Sequence, residues 1–296
     1  EPCSGHLKPG QLVALMGPSG CGKSTLLDML AMKKTAKYRG EVLVNGHVRD
    51  PRTFQRVATY VGQEDVMPQH WKVREAIKFN AILKTPAAKR KGWTGAAVDL
   101  LLEAFGLSGI KDTYIGGPQV RGISGGQRRR VTLARGIAAQ GSLVFCDEPT
   151  SGLSATDAEL CIKALNVIAK RLSVLILVVI HQPRLEVAQL FDSLLLLTSG
   201  PGRLVYQGPM DGAVAYMEKC GRPVPQYVNP TDYFLDLVTP GIPTDASAMF
   251  VQAYQQRLEP QILKRVAHAY EEKGLTVQEM LLARSGARLG KYAVPF

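Results

Sequence analysis

Gln11-Leu12-Val13-Ala14-Leu15-Met16 followed by Gly17-Pro18-Ser19-Gly20-Cys21-Gly22-Lys23-Ser24-Thr25 is the stretch whose reading decides the fold. The first six residues form a short apolar run that reads as a buried strand. The next nine fit G-x-x-x-x-G-K-[ST], and a helix is expected from Lys23 to about Met32. Glycines let the backbone curl so that successive N–H groups point inward at phosphate oxygens. The helix that follows offers its positive N-terminal end to the same phosphates. In this pattern Lys23 reaches the β- and γ-phosphates, and the Ser24 hydroxyl is a ligand for Mg²⁺.

Working outward, strands and helices alternate. Glu41–Val44 reads as a strand ended by the hairpin signal Asn45-Gly46. Val57–Gly62 is a third strand. Apolar residues then recur at helical spacing through Val73, Ile77, Ala81, Val98, Leu101, Leu102 and Phe105. A further helix is expected from Gly126 to about Ala139, then a buried strand over Ser142–Pro149. A helix from about Thr156 to Arg171 leads into the strand VLILVVI, and SLLLLT and Arg203–Gly208 finish the sheet. Such alternation predicts an α/β fold of the P-loop NTPase kind, with a mostly parallel central sheet and an antiparallel β part. Sheets of this type bind ligands at the C-terminal ends of their strands. Residues 73–139 then form an α-helical subdomain inserted to one side. Residues 1–240 read as the main domain, and 241–296 as a charged, amphipathic helical linker.

Two further sites of chemistry stand out. Asp147 and Glu148 end an apolar strand, where adjacent carboxylates repel each other without a cation. A metal held by Asp147 and a water oriented by Glu148 give both a purpose. Ser124-Gly125-Gly126-Gln127 opens a helix, with Ser124 as its cap, so the chain has a second helix start able to face an anion. If the two loops lie on opposite sides of a domain, one molecule cannot easily place both on one nucleotide, whereas two molecules facing head-to-tail can; taken alone, Ser124–Gln127 reads as an ordinary capped helix start. Arg128-Arg129-Arg130 continues this second helix, and a solvated helix face is the preferred reading over phosphate or lipid contact.

Composition excludes little. The net charge of +11 suits nucleotide phosphates, anionic lipid or nucleic acid, and a basic solvated surface equally well. Five scattered cysteines read as free thiols of a reducing compartment. The longest apolar run, Val174–Ile180, is far short of the roughly 20 residues of a membrane helix. The first ten residues lack a signal-peptide pattern. The fragment itself is therefore expected to be soluble.

The set of motifs resembles the nucleotide-binding domain of ABC transporters, and the resemblance covers nearly all residues up to about Pro240. Gly17 to Thr25 resembles the Walker A loop, Gln63 the Q-loop, Ser124 to Gln127 the signature, Leu143 to Asp147 Walker B, Glu148 the catalytic glutamate, and His181 the H-loop. Within the family, VRGISGGQRRRV, Ile180–Arg184, LFDSLLLL and Asn229–Val238 resemble the G subfamily, the white and pleiotropic-drug-resistance branch. The resemblance implies ATP and Mg²⁺ as cofactors, with Lys23, Glu148 and His181 catalytic and Ser24, Gln63 and Asp147 around the metal. It places the helical subdomain between the Q-loop and Walker B. It implies a head-to-tail partner domain, identical or related, and a transmembrane domain beyond residue 296, on the cytoplasmic side of a membrane. The implied function is ATP hydrolysis powering export of lipid-like or amphipathic substrates. No nucleic-acid partner is expected.

Three positions depart from the pattern. Ser154 stands where the family has the D-loop aspartate, which leaves open a catalytically degenerate subunit of an asymmetric transporter. Gln127 replaces a glutamate frequent in the subfamily. Only sixteen residues precede Gly17, so no adenine-stacking residue is identified.

Overall fold

The computed structural model describes residues 3–33, 38–63, 66–84, 90–117, 119–139, 141–200 and 202–284. Its centre is a six-stranded sheet. Strand β1 is Leu12–Met16, β4 Ala58–Val61, β5 Leu143–Asp147, β6 Leu175–Val179, β7 Ser193–Leu197 and β8 Leu204–Pro209, in the spatial order β4-β5-β6-β1-β7-β8. The first five in that order run parallel and β8 is antiparallel. A separate antiparallel hairpin joins β2 (Leu43–Val44) to β3 (His47–Val48). Its turn residues Asn45 and Gly46 have φ of 52° and 79°, the left-handed pair that an Asn-Gly hairpin uses.

Alternate side chains of a strand point to opposite faces, and here both faces are covered. Leu12, Ala14 and Met16 enter one apolar core, and Val13 and Leu15 enter the other; all five are fully buried. The first core is closed by α3 (Val73–Lys84), α4 (Arg90–Ala104), α5 (Gly125–Ala138) and α6 (Ala155–Leu172). The periodic residues Val73, Ile77, Ala81, Val98, Leu101, Leu102 and Phe105 all lie in it. At about 1.5–3 kcal/mol per large apolar side chain, this seam holds the helical region on the sheet.

The second core is closed by α1 (Lys23–Leu30) and α2 (Pro51–Val57), and by the chain's last helices. Helix α2 takes Val57 from the expected third strand, which begins one residue later, at Ala58. Asp50 caps it by accepting from Thr53 N at 2.9 Å, and Pro51 occupies its first turn. After α6 come α7 (Leu185–Ala188), α8 (Gly212–Lys219) and α9 (Pro230–Leu237), and beyond Pro240 lie α10 (Ser247–Arg257), α11 (Glu259–Glu271) and α12 (Val277–Arg284). Tyr254, Ile262 and Val277 bury themselves in the same core as Leu27 of α1. The hairpin grips the turn between α11 and α12: Gly274 N donates to Asn45 O, and Asn45 Nδ2 to Leu275 O. The segment read as a linker is thus helical where described and packed onto the domain.

Candidate nucleotide site

Register alone gathers the candidate residues. Asp147 of β5 pairs with Val179 of β6, Leu15 of β1 pairs with the same Val179, and Val61 of β4 pairs with Cys146. One or two residues beyond that row, at the same sheet edge, the chain reaches Gln63, Glu148, His181 and Gly17. All four were expected as site residues, from motifs far apart in sequence; the parallel sheet is what makes them neighbours in space.

In the first loop Lys23 is 5% exposed, and its Nζ donates to Gly17 O at 2.8 Å and Pro18 O at 2.9 Å. Both carbonyls belong to the loop itself, so the loop holds its own ammonium. Helix α1 starts at Gly22, which has φ of 95° and no side chain to cap the helix. Its first N–H groups are therefore left for a ligand. Cys21 is buried beside Gly17, and burial pushes its thiol pKa up.

Ser24 Oγ donates to Asp147 Oδ1 at 3.0 Å, and Tyr60 OH donates to Asp147 Oδ2 at 3.0 Å. Burial first, then bonds to Asp28 and Asp147, push the Tyr60 hydroxyl above the usual tyrosine range, so it stays a donor. The Lys33 ammonium lies 3.9 Å from the centre of its ring. Glu148 is held from both sides: Gln63 Nε2 donates to Oε2 at 3.3 Å, and His181 Nε2 lies 2.5 Å from Oε1.

The second loop sits elsewhere. Ser124 Oγ accepts from Gln127 N at 3.2 Å while Ser124 N donates to Gln127 Oε1 at 3.0 Å, a reciprocal cap on α5. Gly125 is exposed, and Gly126 packs so closely on Asp157 that a Cβ there would strike its carboxylate. Among the described residues no hydrogen bond joins Gly17–Thr25 to Ser124–Gln127. Ser154 caps α6, accepting from Asp157 N at 3.1 Å and donating to Asp157 Oδ2 at 2.9 Å.

Comparison with known proteins decides the family. A model described as ABC transporter matches residues 1–151, and one described as ABC-2 type transporter matches residues 181–260. The chain belongs to the ABC transporter family. Its relatives put this ABC domain in the G subfamily, as an ATP-binding domain. ABC transporter G family member 22 of Dictyostelium discoideum is 42% identical over 246 residues, which cover 80% of this chain and 38% of the relative. ABC transporter G family member 28 of Arabidopsis thaliana is 37% identical over 236 residues, 79% of this chain and 21% of the relative. The mouse Broad substrate specificity ATP-binding cassette transporter ABCG2 is 37% identical over 254 residues, 86% of this chain and 37% of the relative. The chain thus spans less than half the length of these curated relatives. No described helix is long and apolar enough to cross a membrane.

The donor set of this ABC domain fits the cation its family uses. The Ser24 hydroxyl, the Asp147 carboxylate and the Gln63 side-chain carbonyl are hard oxygen donors, the kind that Mg²⁺ selects. Two of them already lie within hydrogen-bond distance of each other.

Sequence reasoning missed several parts of the site. Arg129 and Arg130, expected on a solvated face, are 4% and 8% exposed. The reason is loop anchoring. Arg128 donates to Ile115 O and Gly116 O, and Arg130 to Phe105 O and Asp157 Oδ1. Arg129 donates to Gly62 O, Gln63 O, Pro149 O, Asp147 O and Glu148 O. Each planar guanidinium carries five N–H donors, enough to replace the water it loses with backbone carbonyls. Tyr60 was also missed, as was the role of Asn229 and Thr231. Both donate to Pro183 O, two residues past His181, and so brace the histidine loop.

Proposed function

We propose that this domain binds MgATP and hydrolyses it as one half of a head-to-tail pair, driving export of lipid-like or amphipathic substrates through a membrane domain on whose cytoplasmic side it sits. What carries the reading is Glu148, its two carboxylate oxygens in contact with Gln63 and His181, beside the Ser24–Asp147 pair.

Lys23 exchanges the carbonyls of Gly17 and Pro18 for the β- and γ-phosphate oxygens of ATP, with the N–H groups of Gly20 to Thr25 around them. Ser24, Asp147 and Gln63 would hold Mg²⁺, which would supply positive charge to offset that developing on the transferred phosphoryl group. Glu148 accepts a hydrogen bond from the attacking water and orients it in line, and His181 donates to the γ-phosphate. Ser124 and Gln127 of the partner domain approach the same phosphate from the far side. ATP favours the closed pair because only that state contacts the γ-phosphate from both domains. In this scheme residues 1–240 are the nucleotide-binding unit, and 241–296 carry its motion toward the membrane domain.

The test is phosphate release by the full-length protein in lipid. Wild type is expected to turn over, and Glu148→Gln to keep ATP and accumulate paired domains without turnover. Hydrolysis by Glu148→Gln at the wild-type rate rejects the general-base assignment. Ser154 supports a second reading, a non-hydrolysing subunit of an asymmetric transporter, which ATP binding without any phosphate release from wild type would favour.

A further inference from the structure

We propose that Arg129 is a positioning residue for hydrolysis: its guanidinium clamps together the two backbone turns that carry Gln63 and Glu148. The proposal rests on the ATPase reading and adds to it a residue that touches neither nucleotide nor water.

A buried charge is costly unless its donors are satisfied. Arg129 is 4% exposed and meets that cost with backbone carbonyls drawn from two different strand ends. Nη1 donates to Gly62 O at 2.8 Å and Gln63 O at 3.2 Å, in the turn after β4. Nη2 donates to Asp147 O at 3.3 Å and Glu148 O at 3.2 Å, and Nε to Pro149 O at 3.0 Å, in the turn after β5. The side chain arrives from α5, a third element, so neither turn supplies its own anchor.

The second turn needs an anchor. Glu148 has φ of 46°, a left-handed conformation that a residue with a Cβ adopts only where its surroundings over-determine it. Its N–H donates to Val179 O at 3.1 Å, and its carbonyl accepts from Arg129. Those two bonds fix the peptide planes on either side of the Glu148 Cα, and hence the direction in which the carboxylate leaves the chain. The same guanidinium holds the carbonyl of Gln63, whose side chain bonds to that carboxylate. A shift of the Gln63 turn is therefore passed to Glu148 through one rigid planar group. Lysine, with three donors on a single nitrogen, cannot span both sets of carbonyls. Arg129 also lies five residues from Ser124 on α5, so any displacement of the signature helix bears on this subunit's own base.

The experiment uses the full-length protein in lipid, as wild type, Arg129→Lys and Arg129→Met, with and without Glu148→Gln. Steady-state hydrolysis gives kcat and KM, a fluorescent ATP analogue gives affinity, and thermal melting gives integrity. Arg129→Lys is expected to bind the analogue within about twofold of wild type and to lose roughly 10- to 100-fold in kcat with KM little changed. Arg129→Met loses at least as much. In the Glu148→Gln background, Arg129→Lys is expected to leave the accumulation of ATP-bound pairs unchanged, since both changes act through one group. A wild-type kcat for Arg129→Lys overturns the proposal while leaving the ATPase reading intact. So does a failure of the double variant to accumulate paired domains. Loss of analogue binding together with a lowered melting temperature assigns Arg129 a folding role and overturns it too. If wild type releases no phosphate, the ATPase reading fails, and the positioning role with it.

Discussion

Two helix starts in this domain carry glycine and a hydroxyl, and they are built in opposite ways. Helix α1 opens on Gly22 with no side-chain cap, and its buried Lys23 rests on carbonyls of its own loop. Helix α5 opens on Ser124 and Gln127, which cap each other and remain partly exposed. The first leaves its N-terminal N–H groups without a side-chain cap, beside a buried lysine. The second uses the Ser124 and Gln127 N–H groups internally, and leaves the Ser124 hydroxyl hydrogen, the Gln127 side-chain amide hydrogens and the Gly125 backbone to offer outward. An anion site that must work within one chain needs the first design. A site completed by another molecule tolerates the second, because its surface has to remain stable while alone.

The largest effect expected from this contrast is at Lys23. Lys23→Met removes the charged donor from a buried loop, and ATP affinity should fall by about 10- to 100-fold, since hydrogen bonds to a charged group contribute ~1.5–3 kcal/mol. Titration with a fluorescent ATP analogue reads this directly. An unchanged affinity would break the comparison at its first arm.

Ser124→Ala should behave differently. Binding of the analogue to the isolated domain should stay within about twofold, while pairing of domains in a Glu148→Gln background, followed by sedimentation, is weakened. The lost cap also costs the helix ~1 kcal/mol, visible as a small drop in melting temperature. A large fall in single-domain affinity would mean that Ser124 serves its own chain's nucleotide.

Ser154→Asp sharpens the contrast further. Aspartate caps a helix as well as serine does, so stability should change by less than about 0.5 kcal/mol by urea denaturation. Hydrolysis should be equal or faster, and a slower rate would show that the serine suits this site better than the family's aspartate.

The smallest effect concerns Cys21. Burial raises its thiol pKa, so less thiolate is present at any given pH in the folded state than in the unfolded chain. Alkylation of Cys21 at neutral pH, followed by peptide mass spectrometry, should be at least several-fold slower folded than in urea, with the gap narrowing as pH rises.

The parts of this architecture that obey local rules were readable from sequence. Strand periodicity placed β1, β5 and β6, Asn45-Gly46 placed the hairpin, and apolar spacing placed α3 and α4. Helix α2 was missed, although Asp50-Pro51 and Thr53 carry a capping signal, because its seven residues are too short for periodicity to register. The clustering of Gln63, Glu148 and His181 follows from strand order, which a chain written in one dimension does not display. Arg129 was misread for a related reason. Three consecutive arginines on a helix look solvated, but the turns after β4 and β5 supply the carbonyls that bury Arg129, and Phe105 O, just past α4, meets Arg130.

The central place of β1 has a consequence for biosynthesis. Leu12 pairs with Ile176, and Val13 with Ser193, so β1 has no permanent neighbours until β6 and β7 have been translated. At about 5–20 residues per second, that wait lasts on the order of ten to thirty seconds. Throughout it the apolar strand Leu12–Met16 stays without a partner strand, which exposes it to unwanted association while the chain grows.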